Sequence, residues 1–247
     1  MDQISKNAIL CNHTIPAYHP VLKGDQFVPE QTGSASVLKF QNQYYIVTAG
    51  HVLDVEDINH LSFGEINESQ LHGCVVNFQN DETIDAGVVK ITETLAKQIT
   101  IDGKAIIDLD NKSQYLPMYD LKSGLITLAG YPGSQQKLKY EEKKLKVVCK
   151  IIAGPIQSSA LNTKTKVAFQ YDRNNLVKQG FNQLVMGPLP NGMSGSPVWV
   201  DITNSSDIMM YAGIAIEYYP YEGSLVVTRS EVVMQFIHEV ENKAQTK

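Results

Sequence analysis

The sequence from Pro190 to Pro197 reads PNGMSGSP and places Ser194 between Gly192 and Gly195. The apolar run VWV follows directly, which favours a β-strand after a tight turn. Glycines adopt backbone conformations that other residues resist, so this turn can hold a serine hydroxyl and its neighbouring amides in fixed directions. The stretch therefore predicts a serine presented on a glycine-rich turn at the start of a strand.

Two further segments place a titratable residue at the edge of an apolar run. The strand-like run YYIVTAG, residues 44–50, is followed by His51, and Asp85 precedes the run GVVKI, residues 87–91. A serine hydroxyl is a weak nucleophile unless a base takes its proton, and the pKa of histidine suits that task. An aspartate on the second imidazole nitrogen fixes the tautomer and stabilises the imidazolium. His51, Asp85 and Ser194 are therefore the candidate catalytic residues, and the amides of Gly192 and Ser194 are the candidate oxyanion hole.

Short apolar runs, broken by Gly, Asn, Asp and Pro, fill most of the remaining chain. Valine, isoleucine and tyrosine dominate these runs, which favours strands over helices. Because no helices alternate with them, the pattern predicts an all-β protein of the sandwich or barrel type. A hairpin connection is expected at Asn42-Gln43. The clearest predicted strands are 35–40, 44–48, 75–78, 87–91, 125–129, 145–152, 167–169, 197–201, 210–216 and 224–228.

The last part of the chain has helical rather than strand periodicity. Ser230 can cap a helix that continues to about residue 241. Val233, Phe236, Ile237 and Val240 then fall on one face, at spacings of three and four residues. The pattern predicts an amphipathic helix over residues 230–241 that docks on the β core.

Composition limits the class of protein. The 247 residues are 43% apolar and 19% charged, which is typical of a soluble globular chain. The formal net charge of −5 gives no reason to expect nucleic-acid binding. No stretch approaches the ~18 apolar residues of a membrane helix, and the first residues contain no signal-peptide core. We therefore expect no membrane association, and a cytoplasmic location or export without a cleaved signal peptide.

The cysteines and histidines do not predict a metal site. Cys11, Cys74 and Cys149 are widely spaced and include no C-x-x-C pair. This pattern predicts no disulfide framework and fits a reducing compartment. Apart from His51, the histidines have no metal-ligand spacing, so neither a metal nor a cofactor is expected.

The order His51, Asp85, Ser194 is the order found in chymotrypsin-like proteases. TAGH at 48–51 resembles the histidine motif of trypsin-like peptidases. DAGVVKI at 85–91 resembles the aspartate motif of the high-temperature-requirement proteases, and GMSGSP at 192–197 resembles the family's serine motif. The resemblance covers about residues 33–240.

This resemblance implies a single peptidase domain over residues 1–247. It would contain two six-stranded antiparallel β-barrels of the chymotrypsin type, over about 14–112 and 118–229, followed by the helix at 230–241. The polar stretch 108–120 is the candidate crossover between them. In this family the histidine and aspartate come from the first barrel and the serine from the second, so the site is expected in the cleft between them.

Three departures from the family pattern refine the expectation. Met193 stands where digestive relatives carry an aspartate that pairs with a newly cleaved N-terminus, so no N-terminal cleavage is expected. The disulfide that flanks the family's histidine is missing. Both features fit a bacterial-type, intracellular branch. Glutamyl endopeptidases carry a histidine where this chain has Ala215, so selection of Glu or Gln by that mechanism is not expected.

The resemblance also indicates which strand lines the substrate pocket. Ala215, Ile216 and Glu217 lie on that strand and are the candidate substrate-binding residues. Glu217 either enters the pocket and favours a basic substrate residue or faces the solvent. The tyrosines at 218, 219 and 221 either form an aromatic wall for substrate or pack within an ordinary loop.

The motifs together predict a serine endopeptidase that cleaves protein or peptide substrates through an acyl-enzyme. Two other functions remain open: a catalytically silent peptide-binding module of the same fold, and an esterase that uses the same triad. Ser196 competes with Ser194 as the nucleophile, and Asp57 and Asp81 compete with Asp85. The sequence identifies no regulatory protein partner.

Overall fold

A computed structural model of the chain describes residues 3–23, 26–54, 61–64, 75–81, 84–111, 115, 124–133, 137–139, 144–178, 183–201 and 209–245. Within these residues the chain forms two large sheets, two small two-stranded sheets and three α-helices. No helix of the described part is long and apolar enough to cross a membrane.

The first half of the chain builds a seven-stranded sheet. Its strands are β1 (Ile15–Lys23), β2 (Gln26–Phe40), β3 (Gln43–Thr48), β4 (Ser62–Phe63), β5 (Val75–Asp81), β6 (Ala86–Ile91) and β7 (Ile107–Asp108). Their order is β4-β1-β2-β3-β6-β5, and β7 pairs in parallel with β2. The antiparallel register of β3 with β6 sets Thr48 opposite Gly87. The end of β3 and the start of β6 therefore lie at the same edge of the sheet, which brings His51 and Asp85 together.

The second half of the chain builds a six-stranded sheet and two small hairpins. The strands are β8 (Leu125–Gly130), β9 (Lys137–Lys139), β10 (Lys144–Lys146), β11 (Lys150–Pro155), β12 (Lys166–Gln170), β13 (Leu176–Lys178), β14 (Gln183–Val185), β15 (Pro197–Asp201), β16 (Met209–Tyr219) and β17 (Ser224–Arg229). The large sheet has the order β11-β8-β15-β16-β17-β12. An isolated bridge between Ile156, just after β11, and Phe169, on β12, brings the two edge strands of this sheet together.

Three helices dock on the sheets: α1 (Gln3–Asn12), α2 (Glu93–Ile101) and α3 (Ser230–Gln245). The helix α3 follows the second sheet directly but also packs against β5 and β6 of the first. There the carboxylate of Glu241 accepts a hydrogen bond from Tyr45 at 2.7 Å and pairs with Lys90 at 2.8 Å. The helix α1 precedes the first sheet but packs against β8 and β11 of the second. Each terminal helix thus contacts the sheet built by the other half of the chain.

The predicted fold is confirmed: the protein is mainly β, with two antiparallel sheets and a C-terminal helix. The helix α3 begins at Ser230 as expected, and the four predicted apolar residues of its inner face are buried. The predicted strand 145–152 is divided between β10 and β11. The predicted crossover 108–120 lies largely outside the described residues.

Two local features differ from the sequence prediction. The helices α1 and α2 were not expected, because each is short; Thr92 caps α2 by accepting a hydrogen bond from the Leu95 amide. The hairpin between β2 and β3 turns at Gln41 and Asn42 rather than at Asn42-Gln43. Both turn residues have positive φ, 49° and 58°, which is the geometry of a two-residue hairpin with the sheet's own twist.

Candidate active site

His51 and Asp85 form a close pair at one edge of the first sheet. His51 lies in a single 3-10 turn, Gly50–Val52, just after β3. Its Nδ1 lies 2.9 Å from Oδ1 and 3.1 Å from Oδ2 of Asp85, and its backbone amide donates to Oδ1 at 3.0 Å. The carboxylate thus fixes both the ring and the backbone of His51. Because Nδ1 faces the carboxylate, Nε2 is the nitrogen that remains for proton transfer.

The backbone of Asp85 explains how its carboxylate reaches the histidine. Asp85 has φ of 59°, in the left-handed region that aspartate and asparagine tolerate better than most residues. It directly precedes β6, so this turn conformation reverses the chain at the sheet edge. The strained residue is therefore the one that holds the imidazole.

The contact between His51 and Asp85 shifts the pKa of each residue in the direction that favours its charged form. The hydrogen bond that His51 donates to Asp85 raises the pKa of His51; burial opposes this effect, and the nearby Glu217 carboxylate adds to it. Burial alone would raise the pKa of Asp85, but its hydrogen bonds to the ring and amide of His51 lower it overall. Asp85 is therefore ionised, and an imidazolium on His51 is stabilised.

Ser194 lies just before β15, after a tight turn in the second half of the chain. The Met193 amide donates to the carbonyl of Pro190 at 2.7 Å, and Gly192 has φ of 87°. This is a type II turn, whose third position requires positive φ and so favours glycine. The carbonyl of Asn191 accepts a hydrogen bond from the Gly133 amide at 2.7 Å. Because the C=O and N–H of one peptide point in opposite directions, the Gly192 amide faces away from Gly133.

The two amides of the candidate oxyanion hole have no acceptor within the described residues. The neighbouring amides of Met193, Gly195 and Ser196 all donate to backbone carbonyls, whereas those of Gly192 and Ser194 do not. The Ser194 turn therefore has two free backbone donors, close together in sequence. They can bind an oxygen that carries negative charge.

Ser34, on β2 of the first sheet, makes hydrogen bonds to the Ser194 turn. Its amide donates to the carbonyl of Ser194 at 2.7 Å, and its hydroxyl donates to the carbonyl of Gly192 at 2.9 Å. The same hydroxyl accepts a hydrogen bond from the Tyr131 amide at 3.1 Å. Gln31 also donates from Nε2 to the Gly192 carbonyl, at 3.2 Å. Ser34 itself is fully buried, so the bond that its hydroxyl accepts from Tyr131 is shielded from water.

Close packing explains why glycine follows Ser194. A Cβ on Gly195 would overlap the carbonyl oxygen of Ser34 and the hydroxyl of Thr48, and its φ is 86°. The Gly195 amide donates to the carbonyl of Ala215 at 2.6 Å, which ties the turn to β16. The turn is thus held between the two sheets, at the edge where His51 lies.

Ser194 and His51 line the same cavity, which has a volume of about 370 Å³. Its other lining residues include the three predicted substrate-binding residues, Ala215, Ile216 and Glu217. Among the described residues, no hydrogen bond joins the Ser194 hydroxyl to His51. Such bonds often tighten only when substrate binds. A second cavity, of about 320 Å³, is also lined by His51 and includes Asp85 but not Ser194.

The competing candidates fit this chemistry less well. Ser196 is fully buried, and its hydroxyl does not reach the cavity lining. Asp85 makes three hydrogen bonds with His51, whereas the Asp81 side chain, at the end of β5, lies outside the described part of the structure. Asp57 lies outside the described residues. Within the described part of the chain, no group of three His, Cys, Asp or Glu side chains is arranged to hold a metal ion.

The pocket-strand residues have separate roles. Glu217 is exposed, and its carboxylate accepts a hydrogen bond from the Tyr219 hydroxyl at 2.6 Å. Tyr218 lines the cavity, whereas Tyr221 is fully exposed. Of the two alternatives for these tyrosines, a wall beside the cavity fits Tyr218 alone. Ser34 and Gln31 were not predicted, because their partners lie about 160 residues away in sequence.

Comparison with known proteins reveals the fold but no close relative. No protein-family model and no curated protein matches the chain. A solved structure of an inactivated protease paralogue from the scabies mite matches with a TM-score of 0.51 and 13% identity, over 96% of both chains. A mutant of human heparin binding protein matches with a TM-score of 0.55 and 11% identity, over 94% of this chain and 92% of that chain. The chain has the chymotrypsin fold. At these identities the likeness extends to the fold alone.

Proposed function

We propose that this protein is a serine endopeptidase that hydrolyses peptide bonds in protein substrates. The observation that carries the proposal is that His51 and Ser194 line the same cavity. His51 is paired with Asp85, and the turn that presents Ser194 has two backbone amides without an acceptor in the described residues. Acyl transfer needs a base, a nucleophile and an oxyanion site within reach of one carbonyl group.

In the first half of the reaction Ser194 Oγ attacks the carbonyl carbon of the scissile bond. His51 Nε2 takes the hydroxyl proton as the new C–O bond forms. Asp85 keeps the other ring nitrogen protonated and stabilises the imidazolium, in agreement with the raised pKa of His51. His51 then gives the proton to the leaving amine, the C–N bond breaks, and an acyl-enzyme remains.

The free amides of Gly192 and Ser194 stabilise the negative charge that develops on the carbonyl oxygen. Their directions are set before substrate arrives, since the carbonyl in each of these two peptides is already hydrogen-bonded: that of Asn191 by the Gly133 amide at 2.7 Å and that of Met193 by the Ser196 amide at 2.9 Å. Preorganised donors need no rearrangement during the reaction, which is the source of their catalytic value. A water molecule activated by His51 then hydrolyses the acyl-enzyme and restores the Ser194 hydroxyl.

A catalytically silent peptide-binding module is the second candidate. The observation in its favour is that one protein of the same fold is described as an inactivated protease paralogue. The absence of a Ser194–His51 hydrogen bond in the described residues also fits a resting or silent site. Against it, the base, its carboxylate partner and the serine are all retained here.

Labelling with a fluorophosphonate separates the two candidates, since this reagent modifies only an activated serine. Intact mass measurement should show one adduct on the wild-type protein and none on Ser194→Ala. Ser158→Ala is the matched control, because Ser158 is exposed and does not line the cavity, and it should be labelled like the wild type. A wild-type protein that stays unlabelled and cleaves no peptide is the result that rejects the peptidase.

A matched pair of substrates tests the esterase alternative. A peptide amide and the ester of the same peptide present the same carbonyl and differ in leaving group. An endopeptidase turns over both, because His51 can protonate a leaving amine. Turnover of the ester alone would replace the peptidase by an esterase with the same nucleophile.

A further inference from the structure

We propose that the cavity beside Ser194 selects an apolar, uncharged side chain on the substrate residue whose carbonyl is attacked. This inference rests on the proposed peptidase function and specifies its substrate class. That side chain leaves the substrate backbone one bond from the reacting carbonyl, so it must enter a space that adjoins Ser194. Of the two cavities beside His51, only the one of about 370 Å³ includes Ser194.

The inner wall of this cavity is built from buried apolar side chains. Met193, Ala215, Ile216 and Leu225 all line it, and none is more than 2% exposed. At the rim the wall continues with Leu189, which is 40% exposed. An apolar substrate side chain would therefore meet hydrocarbon from the rim inwards, and its burial is favourable.

Glu217 is the one acidic residue among the described residues that line this cavity. It belongs to the rim rather than to the inner wall, since it is exposed and also lines the second cavity. Its carboxylate is engaged by the Tyr219 hydroxyl, and its charge acts on His51. A basic substrate side chain that extended past Glu217 would lose its hydration against the apolar inner wall. It would find no carboxylate there to pair with its charge.

Acidic substrate side chains also lack a partner in the cavity. No lysine or arginine is found among its described lining residues. His51 is the one group there that can carry positive charge, and it must be neutral to accept the serine proton. The electrostatics thus disfavour both signs of charge, and the lining favours hydrocarbon.

The side wall is held in place before substrate binds. Tyr218 and Leu225 lie opposite each other on β16 and β17. The Tyr218 ring packs edge-on against Tyr171, at 5.6 Å between ring centres, and the Tyr171 hydroxyl donates to the carbonyl of Pro188 at 2.7 Å. A preformed pocket gives selectivity at a low cost in ordering.

The first test compares peptides that differ only in the residue before the cleaved bond: leucine, phenylalanine, lysine or glutamate. We expect kcat/KM for leucine and phenylalanine to exceed that for lysine and glutamate by about 100-fold, the discrimination that unmatched groups in an apolar pocket produce. Equal values, or a preference for either charged residue, would overturn the proposal. The same preparation should also be treated with fluorophosphonate. If Ser194 is labelled, the proposed peptidase function stands even where the proposed apolar selectivity fails.

The second test changes the charge of the pocket at its rim. Leu189→Asp should raise kcat/KM for the lysine peptide and lower it for the leucine peptide, and the exposure of Leu189 makes folding tolerant of the change. Leu125→Asp is the matched control, because Leu125 is 48% exposed and does not line the cavity. An unchanged lysine-to-leucine ratio in Leu189→Asp would show that this cavity does not receive the side chain.

A third measurement decides the proposal even if no peptide is cleaved. Calorimetry can compare the binding of two product-like peptides, one ending in leucine and one in lysine, to Ser194→Ala. Tighter binding of the leucine peptide supports an apolar pocket without any catalysis. Equal binding, or tighter binding of the lysine peptide, rejects it independently of whether the protein is a peptidase.

Discussion

The two sides of the candidate site are held together by different forces. On the first sheet, His51 is oriented by a carboxylate that contacts its ring and its amide. On the second, the Ser194 turn is held by backbone geometry, by uncharged donors from Ser34 and Gln31, and by close packing at Gly195. The first side depends on ionisation and the second on shape. Experiments that change charge and experiments that change shape should therefore give separable effects.

The largest expected effect comes from removing either member of the proton-transfer pair, one from each side. His51→Ala and Ser194→Ala should each lower kcat by several orders of magnitude, and the double variant should be no slower than either single one, because the two residues act as a unit. Kinetics with one good peptide substrate measure this.

The thermal midpoint serves as the control for folding in these variants. It should change little in His51→Ala, because half of the His51 side chain is exposed. Additive losses in the double variant would mean that the two sides of the site work independently, contrary to the proposed mechanism.

Charge is tested next, through the pH dependence of kcat/KM. A protonated His51 cannot accept the serine proton, so activity should rise with pH, and its midpoint should lie above the ordinary histidine value of about 6.5. The sign follows from the Asp85 carboxylate, which raises the pKa of His51 in the folded protein.

Asp85→Asn sharpens this test because it removes the main cause of the raised pKa. The midpoint should move to lower pH, and the plateau rate should fall by about 10⁴-fold since the imidazole loses its fixed tautomer. A lower plateau with an unmoved midpoint would show that another group sets the pKa of His51.

Shape is tested through Ser34, which acts on the reaction by positioning the turn. In Ser34→Ala the carbonyl of Gly192 and the amide of Tyr131 each lose a buried partner. The turn that carries the Gly192 and Ser194 amides is then held less firmly, and we expect kcat to fall by about tenfold with KM unchanged, less than the loss of a whole oxyanion donor. The rate of fluorophosphonate labelling should fall in parallel, while the pH midpoint should not move.

Ser36→Ala is the matched control for this variant. Ser36 lies two residues further along β2 and is equally buried, but its hydroxyl has no hydrogen-bond partner in the described residues. Its removal should leave kcat unchanged. If both variants lose the same activity, the effect belongs to the packing of β2 rather than to the hydrogen bonds of Ser34.

Some residues of the candidate site could be predicted from the sequence and others could not. His51, Asp85 and Ser194 were predictable because each stands at the edge of an apolar run and each residue type has a distinct chemical task. Strands such as β3, β6 and β15 were predictable from their composition. Ser34 and Gln31 were not, since a buried serine or glutamine on a strand has no local signature and gains its role only from partners in the other sheet. Tertiary contacts of this kind lie beyond what a local pattern can indicate.

The smallest expected effect concerns the N-terminus. It tests whether the Ser194 turn is held by an ion pair or by apolar packing. In proteases of this fold that carry an aspartate before the serine, an ion pair with a cleaved N-terminus shapes the oxyanion site. Here that position is Met193, which is 1% exposed and lies in an apolar cluster with Val198 and Ala215. An ammonium group placed there would be buried without a partner.

We therefore expect that a protein with a verified, intact N-terminal tag cleaves peptide and reacts with fluorophosphonate at the same rate as the untagged protein. If activity appears only after the tag is removed, a free N-terminus takes part in shaping the turn, and packing around Met193 does not suffice to hold it.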